Sequence, residues 1–233
     1  MPKVKFIDLF AGLGGIRLGF EKSFAELGFE TECVMTSEIK PYAVETLAKN
    51  FNHDYFVGDI FNVENKQIPD FDFLLGGFPC QPFSASGKRL GFTDTRGTLF
   101  FEIERMLEAK QPYGFILENV EGLLKHDLEN KSDNIGWTLK TILAKLKGLG
   151  YKVSYKVLDS INFGLPQSRK RVFIVGTKNL QIPLEGFVHK HQFLESILEH
   201  GLPTKSTPFT KKLLKAYPLE ELPGKSIIDK RGG

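Results

Sequence analysis

Only two cysteines occur in 233 residues, Cys33 and Cys80, and no CxxC pair is present. Their scarcity excludes a disulfide framework and a structural zinc site, and points to a reducing, intracellular setting in which a thiol stays free. No apolar run approaches the length of a membrane span. Met1-Pro2-Lys3-Val4-Lys5 lacks signal-peptide architecture, so the expected location is cytoplasmic. A large excess of charge is also missing: the net charge is +3, too mild to name a partner on its own. There is no internal repeat and no low-complexity tract. The single tryptophan, Trp137, and the five histidines show no ligand spacing, so no metal site is expected.

What the chain does contain is an alternation of strand and helix. Val4–Leu9, Glu32–Ser37, Asp54–Val57, Phe71–Leu75 and Tyr113–Leu117 read as strands, as do Val153–Leu158 and Val172–Val175. Helices are predicted over about 16–27, 41–50, 99–107 and 134–146, with Pro41 in a first turn and Gly148 as a stop. This rhythm implies an α/β fold with a doubly wound, mostly parallel sheet. Ligands of such sheets sit beyond the carboxyl ends of the strands, which is where Asp8, Glu38, Cys80 and Glu118 fall. After Lys178 the rhythm weakens and Pro203, Pro208, Pro218 and Pro223 interrupt the chain. Residues 1–178 are therefore expected to form the catalytic domain and 179–233 a connector.

Two segments carry chemistry. Phe6-Ile7-Asp8-Leu9-Phe10-Ala11-Gly12-Leu13-Gly14-Gly15 is strand, glycine turn and helix start, and Glu38 ends the second strand where a carboxylate commonly meets ribose hydroxyls. No Lys-Ser/Thr pair follows the glycines, so a P-loop is excluded. The pair reads as a nucleoside-cofactor site, equally suited to a nicotinamide or a methyl donor. In Gly77-Phe78-Pro79-Cys80-Gln81-Pro82-Phe83-Ser84, a cysteine stands between two prolines directly after an apolar strand. A thiol on such a stiffened turn is placed to attack a substrate.

With Asp94-Thr95-Arg96-Gly97-Thr98-Leu99-Phe100, Glu118-Asn119-Val120 and Phe163-Gly164-Leu165-Pro166-Gln167-Ser168-Arg169-Lys170-Arg171, these segments follow one another from Phe6 to about Gly176. In order and spacing the chain resembles the DNA (cytosine-5)-methyltransferase family of bacterial restriction–modification systems. The resemblance implies a Rossmann-like, S-adenosylmethionine-dependent fold and transfer of a methyl group to carbon 5 of cytosine, leaving S-adenosylhomocysteine. By it Cys80 is the nucleophile at carbon 6, Glu118 holds the ring N3 and exocyclic amine, Arg171 holds O2, and Arg169 orders the site. Phe10 would stack near adenine, Gly12, Leu13 and Gly15 would meet the methionine end, and Glu38 would take the ribose. Asp59 and Ile60 would take the adenine, and Pro79 and Leu99 would line the pocket. Ile39 stands where many members have tryptophan.

Double-stranded DNA is the implied partner, with the target base flipped out of the stack. Phe78, Ser84, Ser86, Lys88 and Arg89 would lie on the DNA side. The family's RNA branch favours Pro-Pro-Cys, whereas Phe78 precedes Pro79 here. A target-recognition domain and two final motifs of the family are not found. The chain is accordingly expected to need a missing segment or a second subunit, and to leave apolar surface uncovered beside its first glycine motif.

Overall fold

The structure, a computed structural model, describes residues 3–52, 55–79, 99–128, 130, 132–198, 207, 208, 211, 212 and 215. In chain order the regular elements are β1 (Lys3–Leu9), α1 (Gly15–Glu26), β2 (Glu30–Ser37), α2 (Pro41–Asn50), β3 (Phe56–Val57) and β4 (Phe73–Gly76). They continue with α3 (Leu99–Lys110), β5 (Gly114–Val120), α4 (Trp137–Gly148), β6 (Lys152–Asp159) and β7 (Lys170–Thr177). The strands form one sheet in the order β3-β2-β1-β4-β5-β7-β6. All neighbours from β3 to β5 are parallel, while β7 runs antiparallel to both β5 and β6. The mostly parallel α/β sheet expected from the sequence rhythm is the sheet observed.

Period-two alternation decides which residues face which helices. On β1, Phe6 packs with Leu75 and Phe20 of α1, while Ile7 and Leu9 join the opposite face. That opposite face takes Phe100, Ile103, Met106 and Leu107 of α3, and Leu139, Ile142, Leu143 and Leu146 of α4, both at helical spacing. Each large apolar side chain fully buried in this way contributes roughly 1.5–3 kcal/mol. Helix α4 begins at Trp137, not at Asn134, and the left-handed glycine that follows it is Gly150. Register fixes the rim: Asp8 lies opposite Thr36 and Leu75, and Gly76 lies opposite Leu117. The chain turns one way from β1 to β2 and the other way to β4, so a crevice opens at the carboxyl ends of β1 and β4.

Gly14 caps α1 in the left-handed conformation, φ 82° and ψ 21°. A Cβ there would collide with the Phe51 ring and come 3.1 Å from a Leu47 methyl. Gly14→Ala is therefore expected to cost about 2–4 kcal/mol, from backbone strain and overpacking together. Urea denaturation checks this, with Gly15→Ala as the control, since nothing lies within 4 Å of a Cβ at Gly15.

The chain divides into two compact units, Met1–Gln192 and Phe193–Gly233. The first extends beyond β7 because Lys190 exchanges backbone hydrogen bonds with Asn162 and Gly164, at 2.9 and 2.7 Å. In the second, Leu194–Ile197 form a 3-10 turn in which Ser196 Oγ donates to the Phe193 carbonyl at 2.7 Å. Among the described residues no helix is long and apolar enough to cross a membrane.

Candidate active site

The crevice between β1 and β4 has two walls. The first is the glycine turn after β1. Phe10 leaves the strand with φ 56°, rare for a side chain with a Cβ, and its half-buried ring packs against the core. Ala11 N–H donates to the Ser37 carbonyl at 3.1 Å, and Gly12 N–H donates to Glu38 Oε2 at 2.7 Å. Glu38 Oε1 accepts from the N–H groups of Ile39 and Lys40 at 2.9 and 2.8 Å. The buried Glu38 thus straps the turn to the end of β2. A carboxylate accepts in about four directions, so one is left on Oε2 for a hydroxyl. Among the described residues, chain neighbours and the helix's own backbone aside, no atoms lie within 4 Å of where Cβ atoms at Gly12 and Gly15 would stand. Leu13 and Ile39, 61% and 68% exposed, stand out from the same rim.

Other residues expected at the cofactor side are placed differently from one another. Asp59 accepts from Phe61 N–H at 3.1 Å and caps the 3-10 turn Ile60–Asn62. The Ile60 side chain is buried in the core. Leu99 is half-buried at the start of α3, and Pro79 is exposed.

The second wall is built from β5 and β7. Because these strands are antiparallel, with Val120 opposite Arg171, the arginine is carried back towards Glu118. Arg171 Nε and Glu118 Oε1 form an ion pair at 2.9 Å, with both side chains mostly buried. Burial pushes the Glu118 carboxyl up, and the charges of Arg171 and Arg169 offset only part of that, so its pKa stays raised. Arg169 is exposed just before β7 and acts on Glu118 through its charge.

Between the walls lies the exit of β4. Gly77 N–H donates to the Leu9 carbonyl at 3.3 Å. A Cβ on Gly77 would stand 3.7 Å from both Glu118 Oε2 and the Phe10 carbonyl oxygen, so the acid and the glycine turn face each other across this residue. Asn119, 2% exposed, donates from Nδ2 to the Phe78 carbonyl at 3.0 Å and accepts the Val120 N–H on Oδ1 at 2.8 Å. Phe78 corrects an expectation. Its side chain is 3% exposed with its ring against Phe100, so it packs beneath the turn and offers no exposed ring for the DNA side. Cys80, Ser84, Ser86, Lys88 and Arg89 lie outside the described residues.

Sequence reasoning gave no role to Asn119, whose partner lies in the turn after β4. It placed Asp8 on the rim but not its environment. Asp8 is 1% exposed, its Oδ2 has no hydrogen-bond partner among the described residues, and burial pushes its pKa up to about 7. The signal was a lone carboxylate inside the run Phe6–Phe10. A separate groove of about 520 Å³, bounded by Lys3, Arg17, Thr31 and Asn52, lies towards the amino ends of β1 and β2 and takes no part in this site.

The sequence profile described as C-5 cytosine-specific DNA methylase matches residues 4–228. The type II methyltransferase M.NgoBV of Neisseria gonorrhoeae is 54% identical over 233 residues, all of this chain and 55% of that protein. M.BanI of Aneurinibacillus aneurinilyticus is 46% identical over 257 residues, covering 99% of this chain and 57% of its own length. Among solved structures, the Entamoeba histolytica methyltransferase EhMeth superposes with a TM-score of 0.67 over 87% of this chain and 62% of its own, at 20% identity, a likeness of fold alone. The chain spans about half the length of the curated relatives it matches. With the motifs in order on this sheet and the profile matched along nearly the whole length, the chain belongs to the C-5 cytosine-specific DNA methylase family.

Proposed function

We propose that this chain is the catalytic portion of an enzyme that methylates carbon 5 of a flipped-out cytosine in double-stranded DNA, within a restriction–modification system. The observation that carries the reading is the Glu118–Arg171 pair, facing the glycine turn across Gly77 and joined through Asn119 to the carbonyl two residues before Cys80.

The residues fit S-adenosylmethionine on three counts: open space at Gly12 and Gly15, one free acceptor direction on Glu38, and the exposed apolar lips Leu13 and Ile39. When bound, it supplies the methyl group that carbon 5 accepts. Everything else is the work of the chain. Cys80, as thiolate, adds to carbon 6 and makes carbon 5 electron-rich. Glu118, whose pKa is raised by burial, takes up a proton more readily than an ordinary glutamate; in its protonated form it donates to N3 and accepts from the exocyclic amine, taking up the negative charge that develops in the ring. Arg171 donates to O2, and Arg169 adds positive charge beside the pair. Loss of the carbon 5 proton then breaks the carbon–sulfur bond and frees Cys80. The ion pair of Glu118 and Arg171 stands in for the base until it arrives.

Leu13, Leu18, Ile39 and Tyr42 are all more than 60% exposed on α1, the glycine turn and the start of α2. Such a surface supports the reading that the further length found in the relatives covers this side of the cofactor pocket. DNA containing 5-fluorocytosine tests the chemistry, because fluorine cannot leave as a proton and the adduct is trapped. Incubated with S-adenosylmethionine and a segment supplying the further length of the relatives, the chain is expected to form a covalent complex with DNA, and Cys80→Ser none. No complex from the wild-type chain would sink the reading.

A further inference from the structure

The turn that leads into Arg171 is held at Ser168 and Arg169 by a carboxylate outside the Glu118–Arg171 pair. We propose that Asp159 is a positioning residue, a carboxylate clip that fixes the Gln167–Arg169 turn and thereby delivers Arg171 to Glu118. It rests on the reading of Glu118 and Arg171 as the groups that hold the base.

Asp159 is the last residue of β6 and lies opposite Lys170 in register. Its Oδ1 accepts from Arg169 N–H at 2.8 Å and, more weakly, from Ile161 N–H at 3.4 Å. Its Oδ2 accepts from Ser168 Oγ at 2.8 Å. The neighbouring Ser160 completes the clamp: its N–H donates to the Arg169 carbonyl at 3.3 Å and its hydroxyl donates to the Gln167 carbonyl. Donors and acceptors of the incoming segment are thus met from one strand end, immediately before β7 begins.

The placement matters because side chains of a strand alternate between faces. Slipping β7 by one residue against β6 would put Lys170 in the place of Arg171 and send the guanidinium to the other face. Lysine offers a point charge where a planar fork is needed to meet a carboxylate and a base oxygen together. Asp159 stands at the first paired position, where the register is set. A carboxylate suits the task because all three of its partners are donors. Asparagine should largely serve, with Oδ1 accepting from Arg169 N–H and Nδ2 donating to the Ser168 hydroxyl, which can turn to accept. Alanine serves neither.

The first measurement needs no activity. In a side-chain ¹⁵N–¹H spectrum of the chain, the Arg171 Nε–H held by Glu118 should give a protected resonance, assigned by its loss in Arg171→Lys. Asp159→Ala should shift and broaden it, and Asp159→Asn should restore it. The second is adduct formation on 5-fluorocytosine DNA in the completed enzyme. Asp159→Ala is expected to be slower by at least tenfold with S-adenosylhomocysteine affinity within about twofold of wild type, Asp159→Asn close to wild type, and Ser168→Ala in between. An unchanged Arg171 resonance in Asp159→Ala overturns the clip. So do equal losses in the alanine and asparagine variants, or a parallel loss of S-adenosylhomocysteine binding. A wild-type enzyme that forms no adduct sinks the cytosine reading and leaves the spectroscopic result to decide the clip.

Discussion

Glu118→Gln is expected to slow adduct formation and methyl transfer by roughly 10²- to 10⁴-fold, the usual worth of a positioned general acid. Affinity for S-adenosylhomocysteine should hardly change, because the glycine turn and Glu38 form a separate wall. The pH profile is the sharper test. Burial raises the Glu118 pKa against the pull of Arg171 and Arg169, so the side chain keeps its proton to a higher pH than an ordinary glutamate. The proton-donating form is lost as pH rises through that value. The wild-type rate should therefore rise with pH as Cys80 ionises and fall again as Glu118 does. Glutamine cannot ionise, so the variant should keep the rising limb and lack the falling one. A variant with the full two-limbed profile would show that the falling limb belongs to another group.

Asp8→Asn should stabilise the fold, increasingly so as pH rises. The carboxyl is pushed by burial from an ordinary 3.8 to about 7, with Arg17 pulling it down and Glu21 and Glu38 pushing it up. Arg17 offsets only part of the burial, and it is shared with other groups, its Nε 2.7 Å from Glu21 and its guanidinium over the Phe51 ring at 4.4 Å. Well below pH 3.8 both states are protonated and the ionisation of Asp8 costs nothing. As pH rises from there to about 7, the unfolded chain releases a proton that the native state retains, so folding stability falls. The full penalty, at most about 4 kcal/mol, applies above that range. Measured by urea denaturation, the advantage of Asp8→Asn over wild type should widen by roughly 2–3 kcal/mol between pH 5 and pH 8. A gap that stays constant or narrows would place the charge elsewhere.

Local patterns made the framework readable. Apolar runs such as Phe6–Phe10 and Phe71–Leu75 gave strands, Pro41 marked the start of α2, and the order of glycine turn, cysteine turn and Arg-x-Arg gave the family. What escaped was set by contacts between distant segments. Helical periodicity carried α4 back to Asn134, but Gly136 N–H donates to the Leu124 carbonyl and a Cβ at Gly136 would collide with the His126 carbonyl. That contact holds the chain out of the helix until Trp137. The side-chain packing of Phe78, the Asn119 bond to its carbonyl and the lone oxygen of Asp8 likewise depend on partners that no short window contains. Glu118 and Arg171 were legible as a pair of motifs, whereas their 2.9 Å meeting required knowing that β7 runs antiparallel beside β5.

The place of β7 also sets an order of assembly. β6 is made before β7, yet among the described residues β7 is its only neighbour in the sheet, so β6 emerges from the ribosome ahead of the strand it pairs with. Until β7 arrives, β5 is a temporary edge whose open backbone groups can accept any extended segment. The simplest route pairs β6 with β7 first, as a local antiparallel unit closed by the Asp159 turn, and then docks that unit onto β5. Local pairing of this kind forms faster than pairing across a long stretch of chain. On this route Glu118 receives its arginine in the same event that joins β7 to β5, so a half-made chain carries the acid without its ion-pair partner.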